Sequence, residues 1–348
     1  MNATGGWRWP AEWEAQDGVL LAWPHPDTDW AANLADVERT YVALASAIAR
    51  FERVVIGIAT PVLEAHAREL LTRAQARLDR VRFVAVEYDD TWLRDSGPVT
   101  LSDGRRFRLL DFRFTGWGGK FESGRDDRLI EQLLDAGVFR DAGRTRVDFA
   151  LEGGAIESDG EGTVLTTLRC LRQRHPTLSR GELAEALENH LAADRVLILE
   201  HGALEGDDTD AHIDTLARFA PDASIVFQAC DRVDDSHYVE LRRMREELAT
   251  LRTRDGRPYR LIALPWARPI RAADGRRLAA SYANYLVVNE AVLMPAYGDS
   301  ADSHAMHVLA RAHPGREVIP VPCRALIEQN GSLHCVTMQM PRGSLREF

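Results

Sequence analysis

Six times along this chain a stretch with helix-spaced apolar residues is followed by a short β-branched run, and four of those runs lead into a residue that can do chemistry. After the helix expected at 62–78, residues 81–86 lead to Asp95; after 126–136, residues 147–151 lead to Glu152. After 180–192, opened by a capping box of Ser179 with Glu182, residues 196–199 lead to His212 and Asp214. After 301–312, residues 318–321 lead to Cys335. The two remaining helix–strand pairs end near Ile58 and Ile262 and lead to no evident reactive group. A unit repeated in this way predicts pseudosymmetric modules whose polar residues converge on one centre. An open doubly wound α/β sheet also places functional residues beyond strand ends, and periodicity alone fits either arrangement. No Pro- or Gly-rich linker divides the chain, so residues 1–348 are expected to form one continuous α/β catalytic domain.

Composition narrows the partners. The formal net charge of −10 argues against nucleic acid and anionic membrane, and mildly favours a cationic ligand. No stretch approaches the roughly 18 apolar residues of a membrane span. The first ten residues show no basic segment followed by an apolar run, so no secretion signal and a cytoplasmic protein are expected. Cys170, Cys230, Cys323 and Cys335 are widely spaced without a CxxC pair, which indicates neither a zinc knuckle nor a disulfide framework.

Cys335 follows the turn Asn330-Gly331-Ser332 and is expected to open a short strand. A lone cysteine is most often a small core residue; the stretches carrying Asp95, Glu152, His212 and Asp214 supply the partners of a nucleophile. Several carboxylates would disfavour a thiolate by like-charge repulsion. They make sense if the substrate brings the positive charge, and a guanidinium is planar, always protonated and matched to carboxylates. Asp95 and Asp214 would then grip the guanidinium while Cys335 attacks its carbon. His212 would protonate the departing nitrogen and later activate water, with Glu152 orienting or charge-stabilising the imidazole. His212 and Asp214, two apart, are expected on one side of a strand, and His334 on the face opposite Cys335. Trp92 and Trp117 would wall the substrate's aliphatic chain, and Asp208 would hold a distal amine, with Asp89, Asp90 and Glu205 next in line. The blander readings are an Arg94–Asp95 ion pair, a structural histidine, a turn glutamate and core tryptophans.

These stretches, taken together and in order, resemble the agmatine deiminase and bacterial peptidylarginine deiminase-like family of the guanidino-group-modifying (pentein) superfamily. The resemblance runs from Pro10-Ala11-Glu12-Trp13-Glu14 through residues 89–98, Leu151-Glu152-Gly153-Gly154 and residues 209–214, to residues 281–285, 295–299 and 333–337. It implies a five-bladed pseudosymmetric α/β propeller, no metal and no organic cofactor. It also implies Cys335 as nucleophile, His212 as acid/base beside Glu152, and Asp95 and Asp214 as guanidinium ligands. The agmatine enzymes usually have glycine where Ala211 stands and often asparagine where Thr215 stands. A glycine-rich run commonly replaces Asn330-Gly331-Ser332-Leu333. The expected activity is that of an agmatine deiminase making N-carbamoylputrescine and ammonia, a step toward putrescine. A deiminase of arginine or peptidylarginine is the alternative. A metal-dependent amidohydrolase built on His201, His212, Asp214 and His237 is a further one, and a polyamine- or guanidine-binding protein is the non-enzyme rival. The expected partner is a small cationic guanidino molecule, and a homo-oligomer is compatible with the sequence.

Overall fold

The computed structural model describes residues 6–348. They form five small sheets, each containing one antiparallel and at least one parallel pairing. The first holds Gln16–Ala22 (β1), Arg53–Ile58 (β2) and Val81–Ala85 (β3), all parallel. The second holds Val99–Ser102 (β4), Phe107–Arg113 (β5) and Ala142–Ala150 (β6). The third holds Ile156–Ser158 (β7), Thr163–Thr167 (β8) and Arg195–Leu199 (β9). The fourth holds Ala217–Ala220 (β10), Ser224–Gln228 (β11) and Arg260–Leu264 (β12). The fifth holds Leu286–Val288 (β13), Ala291–Ala296 (β14) and Glu317–Pro322 (β15). In sheets two to five the first two strands are an antiparallel pair and the third joins parallel after a helical crossover. The first sheet lacks its own antiparallel strand. The C-terminal Met338–Pro341 (β16) supplies it by pairing antiparallel with β1, which ties the chain's two ends into one sheet.

Five separate sheets replace the doubly wound alternative, and the count of six helix–strand pairs becomes explicable. The helices Leu34–Ala49 and Pro61–Arg73 both feed the first sheet, through β2 and β3, so six pairs serve five modules. The expected helices and third strands form within a few residues of their sequence bounds. Ser179 and Glu182 make the reciprocal capping box at the start of Arg180–Leu191, the kind of cap worth about 1 kcal/mol. Sequence periodicity missed the short antiparallel pairs because their strands are three to seven residues long and largely buried, without alternation. The crossover helices bury one stripe each: Val37, Tyr41, Leu44 and Ile48 in the first, Leu183, Leu187 and Leu191 in the capped one. Each such side chain contributes about 1.5–3 kcal/mol on burial. No helix among the described residues is long and apolar enough to cross a membrane.

The inner ends of the blades are held by buried charge. The Arg218 guanidinium, on β10, donates to Glu157 on β7, to Glu12 ahead of β1 and to the Tyr285 carbonyl ahead of β13, each at 2.7 Å. Arg94, between β3 and β4, approaches Glu12 at 3.9 Å. Residues from several modules thus meet in one buried network.

Candidate active site

Each module sends one segment to the same centre. The short helical turn Leu93–Ser96 after β3 carries Asp95, and the loop after β6 carries Glu152. The loop after β9 carries His212 and Asp214, and the loop after β15 carries Cys335. The fourth module contributes as well: the segment after β12 brings Asn284 to 3.2 Å, through Nδ2, from Cys335 Sγ. Sequence reasoning missed Asn284 because 20 residues separate it from the end of β12 and asparagine carries no reactive signature.

Two local expectations are corrected. Cys335 does not open a strand; it sits in a 3-10 turn, His334–Val336, and β16 begins only at Met338. His212 and Asp214 likewise lie at the start of and within a 3-10 turn, not on a strand. For the same reason His334 does not point away from the site. Its Nδ1 lies 2.8 Å from Asp214 Oδ2 and its Nε2 2.8 Å from Glu12 Oε2, so it links Asp214 to the buried network. An alternation argument holds only in extended backbone, and this backbone is helical.

His212 is fully buried between two carboxylates, with Nδ1 3.7 Å from Asp95 Oδ1 and Nε2 3.6 Å from Glu152 Oε2. Neither ring nitrogen has a hydrogen-bond partner. Burial alone would lower the imidazole pKa, but Asp95, Cys170 and Glu152 push it well above the ordinary value. Burial would raise Glu152, yet His212 and Arg174 hold it below the usual carboxylate range; Arg174 Nε donates to its Oε1 at 2.6 Å. Asp95 goes the other way. Burial, with Asp214 and Glu152 nearby, lifts it to about 6 although His212 opposes. Its oxygens accept from Trp117 Nε1 and the Gly154 amide, each at 2.9 Å. A Cβ on Gly154 would fall 2.7 Å from His212 Nδ1 and 2.8 Å from Asp95 Oδ1, so only glycine lets these groups close in.

Burial, then Asp214 and Asp95, push the Cys335 thiol well up. Sγ lies 3.7 Å from Asp214 Oδ2. The Asn284 amide is oriented by the backbone N–H groups of His334 (2.9 Å) and Cys335 (3.4 Å), both donating to Oδ1, which leaves Nδ2 facing the sulfur. Among the described neighbours it is the side-chain N–H donor to that sulfur. Asp214 Oδ1 is buried without a hydrogen-bond partner.

Above the sulfur opens a pocket of about 160 Å³, lined by Trp92, Trp117 and Phe121, by Asp29, Asp90, Asp95, Asp208 and Glu328, and by Thr209, Gln329, Asn330, Gly331 and Cys335. All four residues expected to contact substrate therefore lie in it. Asp208 Oδ2 accepts from Asn330 Nδ2 at 2.8 Å, and burial raises its pKa. Burial lifts Asp90 to about 7. Asp89 and Glu205, the reserve candidates, do not line the pocket. Trp117 sits in a run of four left-handed residues, Gly116 to Gly119, where three glycines make the turn cheap and Trp117 itself has φ 56°. Ala211, where glycine is usual, has φ 71°, so the backbone there explains the usual residue. The amidohydrolase set does not assemble: His201 lies beside Glu240 and His237 against Asp235, and neither joins His212.

The sequence matches the family model of Porphyromonas-type peptidyl-arginine deiminase over residues 8–341. The agmatine deiminase of Stutzerimonas stutzeri is 34% identical over 98% of this chain and 97% of its own length. A Porphyromonas gingivalis crystal structure described as a candidate arginine deiminase superposes with TM-score 0.90 at 43% identity, covering 98% of this chain and all of that one. A Cys-to-Ser variant of the C. jejuni agmatine deiminase with substrate bound superposes with TM-score 0.88 at 32% identity, covering 98% and 97%. The five mixed sheets are the blades of the five-bladed pentein propeller those structures share, and the chain is a guanidino-modifying hydrolase of the Porphyromonas-type peptidyl-arginine deiminase and agmatine deiminase family.

Proposed function

We propose that this chain is an agmatine deiminase, hydrolysing the guanidinium of agmatine to N-carbamoylputrescine and ammonia through a covalent thiouronium on Cys335. The observation that carries the reading is the charge of the pocket. Five carboxylates and two indoles line it, and among the described residues no lysine or arginine does. Agmatine brings two cations and an aliphatic chain to such walls, whereas free arginine brings a carboxylate that no lining base would receive. The relatives named agmatine deiminase support the same substrate.

In this mechanism Asp95 and the free oxygen of Asp214 take the guanidinium N–H groups. The bound cation offsets the repulsion that keeps the thiol protonated, the thiol proton passes to solvent, and Asn284 Nδ2 supports the thiolate. Sγ attacks the guanidinium carbon. His212 gives its proton to one nitrogen, which leaves as ammonia, and the thiouronium remains. His212 then takes a proton from water, whose oxygen attacks the same carbon and expels Cys335 with the ureido product. Glu152, fixed by Arg174, stabilises the imidazolium charge from 3.6 Å. The deciding experiment offers the purified protein agmatine, free arginine, an arginine peptide and methylated arginines, and measures ammonia and ureido product. Turnover of agmatine above the others is expected. Preference for free arginine would overturn the substrate, and no turnover of any would overturn the reaction.

Asp95 makes the acid side of the pH profile informative. Its carboxyl, raised to about 6, must be ionised to hold the guanidinium, so kcat/KM for agmatine is expected to fall as pH drops through about 6. A profile flat down to the ordinary carboxylate range would contradict that role.

Asp208 is assigned to the distal ammonium. A charge-assisted pair is worth about 1.5–3 kcal/mol, so Asp208→Asn should lower kcat/KM for agmatine roughly tenfold to a hundredfold. An uncharged alkylguanidine of equal length should be spared. Equal losses on both substrates would pass the assignment to Asp90, which lines the same pocket.

A further inference from the structure

Cys170 has no part in the mechanism above, yet its thiol lies against the acid/base pair. It stands in the first turn of the helix Leu168–Arg174, fully buried, with Sγ 4.0 Å from Glu152 Oε2. Glu152 Oε2 is in turn 3.6 Å from His212 Nε2. Among the described residues these three side chains form the one group whose donor atoms all lie within 4.8 Å of each other. Both ring nitrogens of the completely buried His212 lack a partner, so nitrogen, sulfur and oxygen donors face one another with no hydrogen bond holding the imidazole.

We infer that Cys170, His212 and Glu152 form a zinc-binding site behind the catalytic centre, and that a thiophilic divalent ion held there inhibits the enzyme. Tetrahedral zinc takes ligands at about 2.0–2.3 Å, which sets its ligand atoms about 3.3–3.7 Å apart. The separations of 3.6 and 4.0 Å are close to that, and no pair exceeds 4.8 Å, so small side-chain adjustments bring all three onto one ion. The donor set of one thiolate, one imidazole and one carboxylate leaves a fourth position open and prefers zinc or cobalt over magnesium or calcium. Glu152 is already oriented from behind, since Arg174 occupies Oε1 at 2.6 Å and leaves Oε2 toward the site. Arg174 is the adjacent cation, and Asp210 at 2.8 Å balances its charge. An ion there would replace the His212 Nε2 proton and draw Glu152 away from the imidazolium it stabilises. The inhibition rests on the roles proposed for those two residues; the binding itself does not.

The test therefore reads binding without turnover. In Cys335→Ala, which removes the pocket thiol, added Co²⁺ should give a thiolate-to-cobalt charge-transfer band, and Zn²⁺ should abolish it by displacement. The band should be lost in Cys170→Ser/Cys335→Ala, with circular dichroism showing the fold intact. Should that pair of substitutions fail to fold, Cys170→Ala in the same background serves instead. In the protein with Cys335 present, Zn²⁺ should inhibit agmatine turnover, and Cys170→Ser should raise the inhibiting concentration at least tenfold. No band in Cys335→Ala, a band that survives loss of Cys170, or equal zinc sensitivity with and without Cys170 would each overturn the site. A protein inactive on every guanidino substrate would leave the cobalt result standing as the measure.

Discussion

Cys335→Ala is expected to reduce ammonia release from agmatine to the background rate while the protein stays folded. The reason is positional. Cys335 is the thiol that lines the pocket, whereas Cys170, Cys230 and Cys323 do not, so no other sulfur can take over the covalent step. Removing a small side chain at the base of an open pocket leaves little cavity to destabilise the core. Mass spectrometry of the unmodified protein quenched during turnover should place the substrate-derived adduct on Cys335 alone. Asn284→Asp probes the same sulfur more finely. It keeps an oxygen to accept the His334 and Cys335 amides and replaces the N–H donor to Sγ by a second acceptor. A hydrogen bond to a charged group is worth about 1.5–3 kcal/mol, so alkylation of Cys335 by iodoacetamide should slow roughly tenfold to a hundredfold. Unchanged alkylation would mean that Asn284 only shapes the turn.

What the sequence disclosed and what it hid have distinct physical causes. The crossover helices and third strands were legible because a helix packed on one side of a sheet must keep an apolar stripe, as Val37, Tyr41, Leu44 and Ile48 do. The antiparallel pairs were not, since strands such as Ile156–Ser158 are short and buried along their whole length. Asp95, Glu152, His212, Asp214 and Cys335 could be proposed together because guanidinium chemistry requires that set of groups. The structure places Asp95 and Glu152 within 3.7 Å of His212 and Asp214 within 3.7 Å of Cys335, and the pocket holds Trp92, Trp117, Asp90 and Asp208. Groups placed beside the chemistry carry no reactive pattern in the sequence: Arg174 and Cys170 show none, and Glu12 and Asn284 stand there only within stretches that resemble the family. An extended backbone at Cys335 would turn His334 away from the site, whereas the 3-10 turn there brings it inward. Chemistry announces itself by residue type, while the groups that orient it announce themselves only by proximity.

The buried network beneath the site supplies the largest expected loss of stability. Arg218 is 1% exposed, donates three bonds of 2.7 Å and lies 5.0 Å above the Tyr285 ring. Removing one partner of a buried ion pair costs about 3–5 kcal/mol, because the charges left behind cannot regain water. Arg218→Ala strands Glu157 and leaves Glu12 with the His334 ring and the Val287 amide as hydrogen-bond partners and only the more distant Arg94 as a charged one. Since these groups join different blades, the loss should appear as a lower denaturant midpoint for the whole molecule. Its pH dependence separates stranded charge from a mere cavity. Burial, against the pull of Arg218, already lifts Glu157 to about 7, and losing the guanidinium lifts it further. A carboxyl whose folded pKa exceeds its unfolded value destabilises the fold where it is ionised, above that pKa, and the penalty fades as pH falls and the group takes up its proton. The deficit of Arg218→Ala relative to the parent should therefore be greatest above about 7 and shrink toward acid pH. Urea unfolding at a series of pH values measures it, and a deficit that is constant with pH would assign the loss to packing around Tyr285 in place of the unpaired carboxylates.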